Sequence, residues 1–125
     1  MRYIVRPEDV PTYSPPLHAG TVNRRLVGSD VTGSEAVELV LGVVEPGGVA
    51  ERHSHTVEQA MYILEGRALV EVAEDKHEVG PGMACFFPPG VPHRVESLGP
   101  GALKALVIYA PPLERSGTAE PFKPA

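Results

Sequence analysis

Between Glu45 and Gly101 the chain is broken at short intervals by residues that helices do not tolerate. The breaks are Glu45-Pro46-Gly47-Gly48, Glu65-Gly66, Gly80-Pro81-Gly82, Pro88-Pro89-Gly90 and Leu98-Gly99-Pro100-Gly101. Proline lacks the amide proton that a helix interior needs, and glycine loses the most conformational freedom on entering one. The stretches between the breaks show no 3.6-residue apolar period. They alternate, or run apolar with β-branched residues, and so read as short strands joined by turns. Short strands at regular spacing predict an all-β sandwich or barrel. Thirteen glycines and fourteen prolines in 125 residues point the same way.

The predicted strands are 36–44, 49–55, 59–64, 67–73, 76–79, 83–87, 93–96 and 102–110. Pro46-Gly47-Gly48 is expected to end the first of them. Glu65-Gly66 is expected to close a hairpin between 59–64 and 67–73. Residues 1–35 read as an N-terminal arm with short edge strands at 3–5 and 24–27. Residues 36–110 read as the barrel. Residues 111–125 form a Pro-rich tail that would ordinarily be disordered.

Composition excludes several classes. A net charge of -5 argues against nucleic acid, which requires a basic surface. A single cysteine, Cys85, gives no internal disulfide framework. There is no apolar run of about 20 residues to span a membrane, and the N-terminus lacks the apolar core of a signal peptide. A soluble cytoplasmic protein is the expectation.

The chemistry lies in three histidines. His53 and His55 are one residue apart, and on a strand such positions share a face. Two imidazoles side by side are what a pair of metal ligands requires. His93 follows a Pro/Gly turn that can return it to the first pair. His18 and His77 read as surface residues. Met61, Ile63, Phe86 and Phe87 are expected to line the core or pocket, with Tyr62 outside. One of Arg24 and Arg25 could reach over the mouth to hold a carboxylate.

These residues carry a resemblance to the cupins, in their small single-domain form with one conserved barrel. That family's first motif is G-x5-H-x-H-x(3,4)-E-x6-G. Here Gly47, His53, His55, Gln59 and Gly66 stand at the matching spacings. The second motif is G-x5-P-x-G-x2-H-x3-N, matched by Gly82, Pro88, Gly90, His93 and Ser97. The departures are Gln59 for Glu and Ser97 for Asn. The resemblance implies a jelly-roll barrel with one divalent metal ion (Zn, Fe, Mn, Ni, Co or Cu) on His53, His55, Gln59 and His93. Gln59 is either a direct ligand or a residue that orients a water beside the ion. Glu58 is a minor alternative ligand. Three imidazoles and an amide leave the full charge on the ion, which favours an anionic small-molecule ligand.

Two functions fit. The favoured one is a metal-dependent enzyme, dioxygenase-like or using Lewis-acid chemistry as an isomerase, cyclase or decarboxylase does. Its substrate would be a small organic acid or an enolisable carbonyl compound. The alternative is a non-catalytic module that binds or senses a metal or small metabolite. No catalytic acid/base residue is identified. A homodimer is expected, formed through the arm and the long last strand as exposed edges.

Overall fold

The computed structural model describes residues 2–115, 118–119 and 123–124. It is an all-β barrel built from a continuous, strongly curled antiparallel sheet. The strands are β1 (Thr12–Tyr13), β2 (His18–Val27), β3 (Glu38–Ser54), β4 (Glu58–Glu65), β5 (Ala68–Val72), β6 (Asp75–Val79), β7 (Ala84–Phe87), β8 (His93–Ser97) and β9 (Leu103–Ala110), followed by β10 (Glu114–Arg115), β11 (Thr118–Ala119) and β12 (Lys123–Pro124). The pairing order is β6-β5-β8-β3-β9-β4-β7, with β2 also on β3 and β1 on β2. The helical content among the described residues is one 3-10 turn, Pro7–Asp9.

β3 makes the barrel possible. Its first half pairs with β9, Glu38 opposite Tyr109 through Val44 opposite Leu103. Its second half pairs with β8, Val49 opposite Glu96 and His53 opposite His93. The Pro46-Gly47-Gly48 segment was expected to stop the strand. It instead bends a strand that continues, so that one chain segment belongs to both layers. The register on β2 shifts at the same place, between Ala19 and Thr21. Gly48 is needed there, because a Cβ would lie 2.7 Å from Val44 Cγ1 and 2.8 Å from the Ala19 carbonyl oxygen.

The hairpin expected at Glu65-Gly66 does not form. β4 pairs with β7 and β9, while β5 pairs with β6 and β8. Gly66 is the corner where the chain passes from one layer to the other. It sits at φ +87°, where a Cβ would meet the Ala102 carbonyl oxygen at 2.4 Å. Local turn propensity marked the bend correctly. Which strand then receives the chain is decided by the apolar face it must bury.

The core between the layers holds Met61, Ile63, Val70, Phe87, Leu103 and their neighbours. Each fully buried apolar side chain of this size contributes roughly 1.5–3 kcal/mol. A second cluster of Val40, Val57, Tyr109 and Leu113 closes one end. Beside it the buried Glu38 carboxylate accepts hydrogen bonds from Arg25 Nε and the Leu113 amide, both at 2.8 Å.

Three further expectations are corrected. Residues 3–5 form no strand; Tyr3 and Ile4 lie exposed before the 3-10 turn. The strand expected at 24–27 is ten residues long, because β2 finds a complete partner in β3. The last strand, β9, is not an edge, since it lies between β3 and β4. Of the tail, Leu113 is buried and Lys123–Pro124 pairs with Ser54 and His53 of β3. Residues 116, 117, 120–122 and 125 lie outside the described residues.

Candidate metal centre

His53 ends the second half of β3, His55 follows just beyond it, and His93 opens β8. Direct pairing of His53 with His93 brings the two motifs together. The ring centroids of His53 and His55 are 4.8 Å apart, those of His53 and His93 4.5 Å, and those of His55 and His93 5.4 Å. One nitrogen from each ring lies within 4.8 Å of the other two. All three side chains are buried, as is Gln59, which β4 presents to the same cavity. The even spacing of Gln59, Met61 and Ile63 puts all three on the inner face, and Tyr62 outside.

Backbone contacts orient two of the rings. His53 Nδ1–H donates to the Glu51 carbonyl oxygen, and His93 Nδ1–H to that of Val91 at 3.4 Å. Each bond leaves the lone pair on Nε2, the usual way a metal-ligating imidazole is held. Phe87 stacks on His93 at 4.3 Å, and Tyr109 meets His55 edge-on at 5.6 Å.

Burial disfavours the charged imidazoles. It pushes His55 down to about 3, helped by His53, His93 and His18, and His93 down to about 4, helped by His53. His53 is lowered by burial too, against the opposing pull of the Glu51 carbonyl. The rings are therefore neutral at neutral pH, the state in which they bind metal.

Two atoms test whether an ion fits. His93 Nε2 and Gln59 Oε1 are buried and find no hydrogen-bond partner among the described residues. An unmade hydrogen bond at a buried polar atom costs about 1–3 kcal/mol. Both atoms offer a lone pair, and both residues line a cavity that His53 also lines. A cation satisfies such a donor set; an apolar filling does not. The residues present fit a divalent ion.

The cavity is small, about 60 Å³. Its walls are largely apolar, with Met61, Val95, Leu103 and Val107 among them. β2 supplies a polar side: Thr21, Asn23 and His18, with His18 Nδ1 2.9 Å from Thr21 Oγ1. The expectation that His18 is a surface residue is therefore corrected. It faces the cavity, 6.1 Å from the His53 ring, and burial lowers it to about 4. The strand that carries it was not visible in the sequence, because Pro15 and Pro16 precede it and Gly20 interrupts it.

Other expected pocket residues lie elsewhere. Phe86 faces outward, 54% exposed, because its neighbour Phe87 takes the inner face and adjacent strand residues alternate. Ile63 is fully buried in the core but does not line the cavity. Arg24 donates to the carbonyl oxygens of Pro7 and Val10 on the arm. Arg25 is held by Glu38 and Asp30 and stacks over Tyr13 at 4.8 Å. Neither arginine reaches the mouth. Glu58 is exposed and stands outside the histidine cluster.

A double-layered β barrel with three clustered, buried histidines and a pocket at one end is a jelly roll with a candidate metal site. Residues 40–109 match the Cupin domain family, more than half of the chain, and the chain belongs to it. An uncharacterized protein of Methanocaldococcus jannaschii is 33% identical over 100 residues, spanning 79% of this chain and 80% of that one. Oxalate decarboxylase OxdC of Bacillus subtilis is 30% identical over 97 residues; the match spans 74% of this chain but only 25% of the decarboxylase. Among solved structures, the polyketide cyclase RemF from Streptomyces resistomycificus superposes with a TM-score of 0.81 at 28% identity, covering 100% of this chain and 86% of RemF. No helix among the described residues is long and apolar enough to cross a membrane.

Proposed function

We propose that this cupin is a metal-dependent enzyme acting on a small organic acid or an enolisable carbonyl compound. His53, His55, His93 and Gln59 would hold one divalent ion. The observation that carries the reading is the pair His93 Nε2 and Gln59 Oε1, both buried and without a hydrogen-bond partner among the described residues, with the imidazoles of His53 and His55 clustered against His93. When bound, a divalent ion supplies Lewis acidity toward a carbonyl or carboxylate oxygen.

The chain's own residues do the rest. The four proposed donors carry no charge at neutral pH, so the loaded site stays cationic and selects an anionic ligand. The apolar wall around Met61, Leu103 and Val107 excludes water from the ligand. Thr21 and Asn23 offer hydrogen bonds on the β2 side. RemF is a polyketide cyclase and the Bacillus protein an oxalate decarboxylase; both names fit substrates rich in carbonyl or carboxylate oxygens. Solved structures of that decarboxylase describe Mn(II) centres, which makes Mn one candidate beside Zn, Fe, Ni, Co and Cu. Dioxygenase-like chemistry requires a redox-active member of that set.

One observation favours the second reading, a non-catalytic binding or sensing module. Among the described residues the cavity has no carboxylate wall to serve as a dedicated acid or base. Elemental analysis of protein purified without a metal-affinity tag tests the metal site on which the proposal rests, with His53→Ala as control. The expected result is near-stoichiometric metal in the wild type and loss in the variant. No metal in the wild type and no uptake on titration would overturn the proposal. Gln59→Glu is expected to change metal preference and activity while leaving the fold intact. Unchanged metal content and activity would remove Gln59 from the ligand set.

A further inference from the structure

Outside the proposed ligand set, the buried polar side chains are Thr21, Asn23, Glu38 and Ser97. Three of them are engaged. Thr21 Oγ1 lies 2.9 Å from His18 Nδ1. Glu38 accepts from Arg25 Nε and the Leu113 amide, and Ser97 Oγ donates to the Val44 carbonyl oxygen at 3.3 Å. Asn23 differs. It is 8% exposed, and among the described residues its side-chain amide makes no hydrogen bond. Buried polar groups are almost always paired, so an exception calls for a reason.

The register fixes where the amide is. Directly opposed residues on neighbouring strands point to the same side. Asn23 opposes Gly42, Gly42 opposes Ala105, and Ala105 opposes Ile63, which is fully buried in the core. Asn23 therefore points inward, and it lines the histidine cavity together with Gly42. Gln59 stands on the same face of β4, two rows away, so the amide is set apart from the ligand set. Gly42 lies within β3 and not at positive φ, so its backbone does not require glycine. Its role is space, because a Cβ there would lie 2.9 Å from Asn23 Oδ1. Glycine inside a strand weakens it and marks a close approach. Here it makes room for the amide.

We propose that Asn23, seated over Gly42, determines specificity: it binds a neutral hydroxyl or carbonyl oxygen at the far end of a short acid whose carboxylate or enolate lies on the ion. This assignment rests on a divalent ion at the histidine end. A side-chain amide has both donors and an acceptor, so it pairs with either a hydroxyl or a carbonyl. It carries no charge, and among the described residues no lysine or arginine lines the cavity. A second carboxylate therefore finds no side-chain counter-charge. Val44, Met61, Leu103 and Ala105 make the wall between the two ends apolar, so the linker is hydrocarbon. The cavity volume of about 60 Å³ keeps it short. One water needs about 10–15 Å³ of such space, so the ligand has only a few carbons.

The test is isothermal titration calorimetry on the metal-loaded full chain. The probes are ω-hydroxy acids of three to six carbons, each paired with the alkanoate in which a methyl group replaces the hydroxyl. At one chain length the hydroxy acid should bind about 10-fold or more tightly than its partner, because the alkanoate leaves the buried amide unpaired. Asn23→Leu should erase that ratio while alkanoate binding persists. Gly42→Ala keeps the amide but crowds its oxygen, and should lower the ratio. Should Asn23→Leu misfold by circular dichroism, Gly42→Ala gives the same readout. A wild type that binds both members of every pair equally overturns the role of Asn23 and leaves the metal reading standing. So does a ratio that survives either variant in folded form. Binding of no acid to the loaded chain overturns this assignment and the small-acid reading together.

Discussion

Replacing Arg25 with Met tests the buried lock that joins β2, β3 and the start of the tail. Arg25 Nε lies 2.8 Å from Glu38 Oε2, and the Glu38 side chain is 1% exposed against 14% for Arg25. Removing one member of a buried pair leaves a desolvated charge behind and costs about 3–5 kcal/mol. The neighbouring contact with Asp30, at 3.2 Å, is largely exposed on the Asp30 side and adds little. For a domain of this size 1 kcal/mol moves Tm by about 3–5 °C, so Arg25→Met should lower Tm by roughly 10–20 °C. Replacing both members removes the charge along with its partner. In Arg25→Met/Glu38→Gln the amide oxygen still accepts the Leu113 N–H. The double variant should therefore lose only about 1–2 kcal/mol. Urea unfolding followed by circular dichroism measures both, with the m-value checked for two-state behaviour. A single variant within about 1 kcal/mol of wild type, or a double variant as unstable as the single, refutes the reasoning.

Other expectations follow from the same structure. His18 and His93 are lowered to about 4 and His55 to about 3, chiefly by burial, so the native state refuses protons that the unfolded chain accepts. Stability of the metal-free protein is then complete above about pH 6.5 and falls as pH drops toward 4, by up to about 2 kcal/mol per histidine at pH 5; a melting temperature independent of pH between 7.5 and 5 contradicts this. Gly66→Ala should destabilise far more than Gly82→Ala. Both residues have positive φ, but only at Gly66 does a Cβ strike backbone, at 2.4 Å, while Gly82 has nothing within 4 Å. Backbone strain alone accounts for about 1–2 kcal/mol at Gly82, so equal losses at the two sites would mean that the barrel corner yields.

The all-β class was legible in the sequence because it rests on local rules, and the barrel and histidine set because the two motifs carry the family resemblance. Gly/Pro punctuation marks turns, strand alternation sets faces, and the two motifs number the residues. Alternation also placed Gln59 and Met61 inside and Tyr62 outside. It should have separated Phe86 from Phe87, since adjacent strand residues cannot share a face. The length of β2 was hidden because its first residues are polar and broken by Gly20; the hydrogen bonds of β3 hold it extended.

The sequence by itself determined that the chain is an antiparallel β barrel carrying His53, His55 and His93. Period, punctuation and motif spacing are properties of neighbouring residues, and they survive without the fold. Only the tertiary structure decided which strands pair, that Gly66 is a corner between layers, and that β3 bends through Pro46-Gly47-Gly48 to serve both. It also decided that His18 reaches the cavity and that Arg25 is locked on Glu38. These features depend on contacts between residues distant in the chain. A strand's local pattern states that one face will be buried, but not what will bury it.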